Sequence, residues 1–312
     1  MTWRIGVDSG GTFTDVCLFD EETGKVEIWK VSSTPDDPSR GITQGVVEGL
    51  DQVGAQAADL GFLGHGTTVA TNALLERRGA TVVLVTNRGF EDVIEIGRQN
   101  RPQLYALVGH RLPPLVDRHD RLGVAGRLGP RGELIDALDD SELGELAGRI
   151  LARGADAIAI SLLHSYANPD HEEAVARAVE ATGLPVSVSC HLVPEFREYE
   201  RTSTTVVNAY VAPIMNRYLG RLSDEAGAER VTIMGSNGGT IPVDRARKEP
   251  VHTILSGPAG GVVGALTWAR LSGHDHVMSF DMGGTSTDVS LCPGRPLRTR
   301  EFEIAGQPTA IP

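Results

Sequence analysis

Asp8-Ser9-Gly10-Gly11-Thr12-Phe13-Thr14-Asp15 and Asp281-Met282-Gly283-Gly284-Thr285-Ser286-Thr287-Asp288 are two copies of one pattern, Asp-x-Gly-Gly-Thr-x-Thr-Asp. Each copy follows an apolar run (3–7 and 277–280) and precedes an alternating one (Val16 and Leu18; Val289 and Leu291). Each therefore predicts a strand, a glycine turn and a returning strand. Paired glycines permit positive φ and let backbone N–H groups converge on a phosphate, and the threonine after them adds a hydroxyl donor. The aspartate before them only accepts, so it would repel a phosphate unless a cation lay between. Mg²⁺ suits that position, because it is held through one or two carboxylates together with phosphate oxygens and water. Two such hairpins facing each other would clamp a polyphosphate and its metal. One Asp-x-Gly-Gly is ordinary turn punctuation; the duplicated octet is what carries the reading.

On this basis Asp8 and Asp281 are the expected metal-shell and catalytic carboxylates, and Ser9, Gly10, Gly11, Thr12, Gly283, Gly284 and Thr285 the expected phosphate contacts. Asp15 and Asp288 either orient the hairpins through hydrogen bonds or take part in catalysis. No Gly-x-x-x-x-Gly-Lys-Ser/Thr loop occurs, and no Gly-x-Gly-x-x-Gly follows a strand, so the P-loop and Rossmann signatures are missing.

Working outward, strand 26–31 follows the first hairpin and a helix is expected from about Ser39 to Val53, with Ile42, Val46 and Leu50 on one face. Gly64-His65-Gly66-Thr67-Thr68 reads as the opening of a second helix through Leu75. Strands at 81–86, 157–163 and 185–190 alternate with helices beginning near Asp139 and Pro169, which makes this half an α/β layer structure. Residues 99–136, rich in Arg, Pro and Gly, read as an insertion or lid. A long helix is expected from Glu195 to about Ala226, bent or broken at Pro213. Glycine clusters at 236–239 and 256–261 sit where strands or loops turn into helices, positions that serve either as plain turns or as anion contacts.

Composition narrows the function classes. The 312 residues carry a net charge of −12, and Lys25, Lys30 and Lys248 are the only lysines, which argues against an extended nucleic-acid surface. No apolar run approaches the roughly 18 residues of a membrane helix, and the N-terminus enters a strand without a leader-like segment, so a cytoplasmic protein is expected. Cys17, Cys190 and Cys292 are isolated, show no zinc spacing, and read as buried strand thiols.

The hairpin octets resemble the phosphate-1 and phosphate-2 loops of the actin, sugar-kinase and heat-shock ATPase superfamily. More specific strings are similar to the ATP-dependent hydantoinase/5-oxoprolinase family, its N-methylhydantoinase A-type subunit in particular. These are IGVDSGGTFTDVCLFD (5–20), GHGTTVATNALLERRGA (64–80), EFREYERTSTTVVNAYVAP (195–213), SGPAGGVVGA (256–265) and SFDMGGTSTDVSL (279–291). Acetone and acetophenone carboxylase subunits resemble the chain too.

The resemblance implies an α/β, actin-like (ribonuclease H-like) fold, with an N-terminal lobe over 1–194 and the start of a second over 195–312. It implies ATP and Mg²⁺ as cofactors, and phosphorylation of a cyclic amide such as a hydantoin, 5-oxoproline or a related lactam for ring opening. A B-type hydrolase subunit is the implied partner, in a hetero-oligomer. The alternatives are a ketone carboxylase subunit, or a nucleotide-driven reactivase without a small-molecule substrate. His65, Thr67, Thr68 and Asn72 are candidates for the substrate side, either as ligands of a carbonyl or carboxylate or as a helix cap. Arg98 and Arg101 are candidates for an anionic group, and Glu198 with Arg201 for a helix-face ion pair. Such relatives continue past the second hairpin with a glycine-rich segment over the adenosine. The second lobe is accordingly expected to be incomplete, with weak nucleotide binding and an exposed apolar sheet face.

Overall fold

The computed structural model describes the chain apart from residues 1, 11, 35–36, 101–104, 106, 108–111, 227–230, 283–286, 300 and 312. The strands β1 (Trp3–Ser9) and β2 (Phe13–Asp20) are followed by β3 (Val26–Ser32), helix α1 (Pro38–Gln52), β4 (Leu60–Thr67), α2 (Val69–Leu75) and β5 (Val82–Asn87). Next come α3 (Val93–Ile96), β6 (Arg121–Val124), the small ribbon β7 (Arg127–Leu128) and β8 (Leu134–Asp136), α4 (Asp140–Leu151) and β9 (Ala157–Ile160). Helix α5 (Asp170–Val179), β10 (Val186–Val188) and α6 (Ser189–Leu192) lead to the 28-residue α7 (Glu198–Glu225), continuous through Pro213. Strands β11 (Val231–Met234) and β12 (Thr240–Pro242), helices α8 (Val243–Lys248) and α9 (Ser256–Leu271), and the hairpins β13 (His276–Met282) with β14 (Thr287–Pro293) and β15 (Glu301–Ile304) with β16 (Gln307–Ala310) follow.

The chain divides into two compact units built from discontinuous segments, residues 1–72, 215–299 and 312 in the first and 73–214 and 300–311 in the second. In the first unit a six-stranded sheet runs in the order β12-β11-β4-β1-β2-β3. Strand β1 lies antiparallel to β2 and parallel to β4, which is parallel to β11. Strict alternation along β1 buries Trp3, Ile5, Val7 and Ser9 and turns Asp8 outward. Helix α1 begins on an Asp37 cap and a first-turn Pro38, and lays a glycine stripe against the sheet. A Cβ at Gly45 would lie 2.8 Å from Val16 Cγ2, so only glycine permits this approach.

The second unit has a parallel sheet in the order β10-β9-β5-β6. Strand β5 is buried throughout, as a continuous Val/Leu/Thr run in a parallel sheet requires. Leu146 and Ile150 of α4 and Val175 and Val179 of α5 close its core over Val83, Val85, Ile158 and Ile160.

Three readings of the sequence change. Residues 64–67 are the end of strand β4 rather than a helix start, because two neighbours hydrogen-bond that segment as a central strand. Within the stretch read as an insertion, Arg121–Val124 is the edge strand of the second sheet. Of the three cysteines only Cys292 is buried; Cys17 sits on the outward face of β2, and Cys190 is in a short helix.

Candidate functional site

Both octets form hairpins, and both pair in the same register. Asp8 stands opposite Asp15 with Ser9 opposite Thr14, and Asp281 stands opposite Asp288 with Met282 opposite Thr287. Gly11, Gly283, Gly284 and Thr285 lie outside the described residues. In the first hairpin the Gly10 N–H donates to Phe13 O at 3.0 Å, closing the turn. Ser33 braces it from β3's end: its N–H reaches Thr12 O at 2.9 Å and its hydroxyl Gly10 O at 2.7 Å. The expected phosphate contact Ser9 points its hydroxyl inward to Thr14 Oγ1 at 3.4 Å, and Thr14 continues to Ser33 Oγ at 3.0 Å. The turn is held by its own hydroxyls before any ligand arrives.

Asp8 lies at the hairpin's exposed mouth, yet its carboxyl is held above the usual carboxylate range, first by loss of water and then by the charges of Asp15 and Asp281. The carboxylates of the two hairpins are thus close enough to repel, a repulsion that a divalent cation would relieve. Among the described residues no group of three or more His, Cys, Asp or Glu side chains is placed to hold a metal. Asp15 has its own counterion, Lys30 Nζ at 2.6 Å across the β2–β3 pair. That pairing favours the orienting role for Asp15.

Two further segments reach Asp8. Gly66 of β4 is its parallel neighbour, and a Cβ there would lie 3.7 Å from Asp8 Oδ1 and 3.9 Å from the Cα of Gly257, in the first turn of α9. A Cβ at Gly66 would thus sit in ordinary van der Waals contact with the carboxylate, while one at Gly257 would meet Thr68 Cγ2 at 3.6 Å. Thr67 N–H donates to Ser256 Oγ at 3.4 Å, Ser256 Oγ donates to Thr67 O at 3.0 Å, and Leu255 N–H donates to Thr71 Oγ1 at 2.9 Å. Leu255 adopts φ 61° to start the helix, an uncommon conformation for a branched residue. The α9 N-terminus, with its unsatisfied N–H groups and positive dipole end, is thereby fixed beside the hairpin mouth.

His65 is buried beneath this point. Its Nδ1 lies 3.1 Å from Val7 O, and since a carbonyl only accepts, Nδ1 carries the proton and Nε2 accepts from the Tyr218 hydroxyl. Burial pulls the His65 pKa down to about 4 and pushes the Tyr218 phenol up, so both are neutral at pH 7.

Of the four substrate-side candidates, His65 and Thr67 have their polar atoms engaged inside the unit. Thr68 is half-buried, and Asn72 is exposed with its amide 3.4 Å from Thr68 Oγ1. Arg98 forms a two-pronged pair with Glu200 at 2.7 and 2.6 Å within the second unit, and Arg101 lies outside the described residues. Tyr218 and Ser256 were not foreseen. Nothing local in the sequence marks them, because their partners are 153 and 189 positions away.

Comparison with known proteins agrees over the whole chain. Residues 4–183 match the family model described as the hydantoinase/oxoprolinase N-terminal region, and residues 201–312 match hydantoinase/oxoprolinase. The caprolactamase alpha subunit of Pseudomonas jessenii is 38% identical over 94% of this chain and 44% of its own length. The crystal structure of that ATP-dependent caprolactamase superposes with TM-score 0.80, covering 92% of this chain and 43% of the other. A nucleotide-free acetone carboxylase, from work on ATP-dependent acetone carboxylation, gives TM-score 0.90 at 30% identity over 99% of this chain and 47% of that one. The 5-oxoprolinase of Saccharomyces cerevisiae is 33% identical over 92% of this chain and 25% of its own length. The fold is that of the actin-like ATPases. The chain spans less than half the length of the curated relatives it matches. Among the described residues no helix is long and apolar enough to cross a membrane.

Proposed function

We propose that this chain, which belongs to the hydantoinase/oxoprolinase family, is the nucleotide-using part of an enzyme that phosphorylates a cyclic amide and so activates it for ring opening. The observation behind this reading is the pair of hairpins in one register, with the Asp8 and Asp281 charges acting on each other at their mouths. Phosphoryl transfer asks a protein chiefly to position groups and to neutralise charge. The hairpin turns, with Gly10, Gly11 and Thr12 on one side and Gly283, Gly284 and Thr285 on the other, bind the phosphate chain. The α9 N-terminus supports the same negative charge.

Asp8 and Asp281 would hold Mg²⁺, directly or through water, and the ion would screen charge on the phosphates. The remaining work belongs to the chain itself. Neutral His65, fixed between Val7 O and Tyr218, stiffens β4 so that Gly66 and Thr67 keep their places. Thr68 and Asn72, at the accessible start of α2, are the substrate-side groups. Transfer of the γ-phosphoryl group to the amide oxygen breaks the bridging P–O bond, releases ADP, and leaves an imidate-type phosphate. Water then adds at that carbon, and phosphate and the ring nitrogen leave in turn. We assign the water step to a second, B-type polypeptide, as the subunit naming of the caprolactamase alpha relative suggests. A cytoplasmic location fits an enzyme that draws on ATP.

A ketone-activating carboxylase subunit is the second reading, favoured by the acetone carboxylase superposition. Its ketone would receive the phosphoryl group as an enol. ATP hydrolysis by the complete enzyme, measured with lactams, hydantoins and ketones and with or without bicarbonate, separates the two. Stimulation by lactams or hydantoins without bicarbonate is expected, while stimulation by ketones alone would replace the cyclic-amide reading with the carboxylase one.

A further inference from the structure

One side of the six-stranded sheet in the first unit is only half covered. Helix α1 closes the side on which Val16, Leu18 and Val31 are buried. On the opposite side α9 lies over β4 and β11: a Cβ on Gly66 would stand 3.9 Å from Gly257, and one on Gly260 would stand 3.4 Å from Met234. Beside α9, the same side of β1, β2 and β3 is bare among the described residues. Register sets out what it presents. Arg4, Phe19 and Val26 form one row, Gly6, Cys17 and Ile28 the next, and Asp8, Asp15 and Lys30 the third. Phe19, Val26 and Ile28 are 38%, 43% and 73% exposed.

Gly6 has no reason inside the chain to be glycine. It stands mid-strand, where glycine weakens a strand, its φ is not positive, and a Cβ added to it would meet nothing within 4 Å. Such a glycine marks a place where another backbone or a ligand approaches closely. Gly64, its neighbour on β4, extends the same smooth floor. A sheet side left to water is ordinarily polar. This one is aromatic and aliphatic between its charged ends.

We propose that this bare side is the seat of an amphipathic α-helix, contributed by the further length that the relatives have outside the part matched by this chain. A helix continues the layer that α9 begins, because parallel strands such as β1, β4 and β11 take helices on both sides. The floor from Arg4 to Asp8 is about 14 Å long, which about nine helical residues span. Large apolar side chains of the helix fill the space over Gly6 and Gly64 and rest on Phe19 and Ile28. Charge fixes its direction. The positive N-terminal end lies toward Asp8 and Asp15, and the C-terminal carbonyls lie toward Arg4, which stacks on Phe62 and pairs with Glu21 at 3.1 Å. Size points to the source, since the curated relatives are more than twice as long as the stretch they share with this chain. Which substrate the enzyme activates does not bear on this seat.

Cys17, exposed in the middle row, reports on the cover. N-ethylmaleimide labelling, with the modified peptides located by mass spectrometry, compares the 312-residue chain with the complete enzyme. Cys17 should react freely in the first and at least tenfold more slowly in the second; equal rates would overturn the proposal. Gly6→Val should leave the melting temperature of the 312-residue chain level or higher, because its side chain enters open space, and should restore Cys17 labelling in the complete enzyme. A lower melting temperature in the 312-residue chain, or protection that survives the substitution, would mean that no helix sits on Gly6. The source is read by placing p-benzoylphenylalanine at position 28 of the complete enzyme. A photo-cross-link within one polypeptide is expected, while a link to a second copy or to another subunit would overturn the assignment.

Discussion

Thr67 and Ser256, 189 residues apart in the chain, clasp each other through two hydrogen bonds, one from the Thr67 amide and one from the Ser256 hydroxyl. The clasp ties the end of a central strand to the first turn of α9. Ser256→Ala removes both bonds, one from the Thr67 amide and one to its carbonyl, at a residue only 1% exposed. A loss of about 1–3 kcal/mol in urea unfolding is expected, with weaker nucleotide binding as the helix start loosens. An unchanged midpoint would show that water replaces the hydroxyl.

Asp8→Asn tests the cation site from two sides. Asp8 is held protonation-prone by lost water and by Asp15 and Asp281, so removing its charge relieves repulsion in metal-free protein. The metal-free melting temperature should stay level or rise slightly. Mg²⁺-dependent ATP hydrolysis by the complete enzyme should fall by two orders of magnitude or more, and Asp281→Asn should behave alike. Near-normal turnover in both would remove these carboxylates from the metal shell.

What the sequence disclosed and what it hid separate along physical lines. The hairpins were legible because Asp-x-Gly-Gly-Thr is a local code: turn chemistry and alternation act within eight residues. The segment at 64–67 was misread because a glycine-rich polar run resembles a helix start, and its strand character comes from neighbours at 3–9 and 231–234. His65 reads in the sequence as a substrate-side ligand or a helix cap; the structure sets its ring between Val7 O and the Tyr218 hydroxyl, partners that nearby residues do not reveal. Arg201 reads in the sequence as half of a helix-face ion pair with Glu198; the 3.8 Å approach exists, but its closer bonds go to Leu162 and Ser165, across the fold of the second unit.

His65 supplies a pH dependence with a definite sign. Its pKa is about 4 in the folded protein against an ordinary value of 6.5. Above pH 6.5 the imidazole is neutral in both states and costs nothing. Between 6.5 and 4 the unfolded chain takes up a proton that the folded one refuses, so stability falls as pH falls, by about 1.4 kcal/mol per unit and about 3 kcal/mol in all. Below pH 4 this contribution is level. Urea unfolding of the parent and His65→Asn proteins at pH 7 and 4.5 should show a smaller acid loss in the variant; identical slopes would mean that His65 is not held neutral.

Glu172 holds the second unit together from inside. Fully buried, it accepts from Leu162 N–H and Ser189 Oγ at 2.6 Å each and from Cys190 N–H at 2.8 Å, joining the end of β9 to α6. Its charge also faces the Arg201 guanidinium. Glu172→Leu should cost about 3–5 kcal/mol, since it strands two amides and takes from the buried Arg201 cation one of its two carboxylates, leaving Glu198 alone. Glu172→Gln, which keeps an acceptor, should lose less. Equal losses would show that the charge, removed in both variants, outweighs the hydrogen bonds.

The second hairpin carries an apolar face that nothing in the described residues covers. Met278, Phe280 and Met282 alternate along β13 at 66%, 66% and 71% exposure, and Val289 and Leu291 stand opposite Phe280 and Met278 on β14. The pairing places all five side chains on one side of a two-stranded ribbon. A ribbon of that kind is marginal alone in water, and a contiguous apolar patch on a monomer surface favours association. Light scattering on the 312-residue chain should therefore show a mass that rises with concentration. Phe280→Lys combined with Leu291→Glu, which place opposite charges on the exposed face without disturbing the hairpin register, should hold the chain monomeric. A monomeric parent protein across that range would mean the face is tolerated in water, and association unchanged in the double variant would place the contact elsewhere.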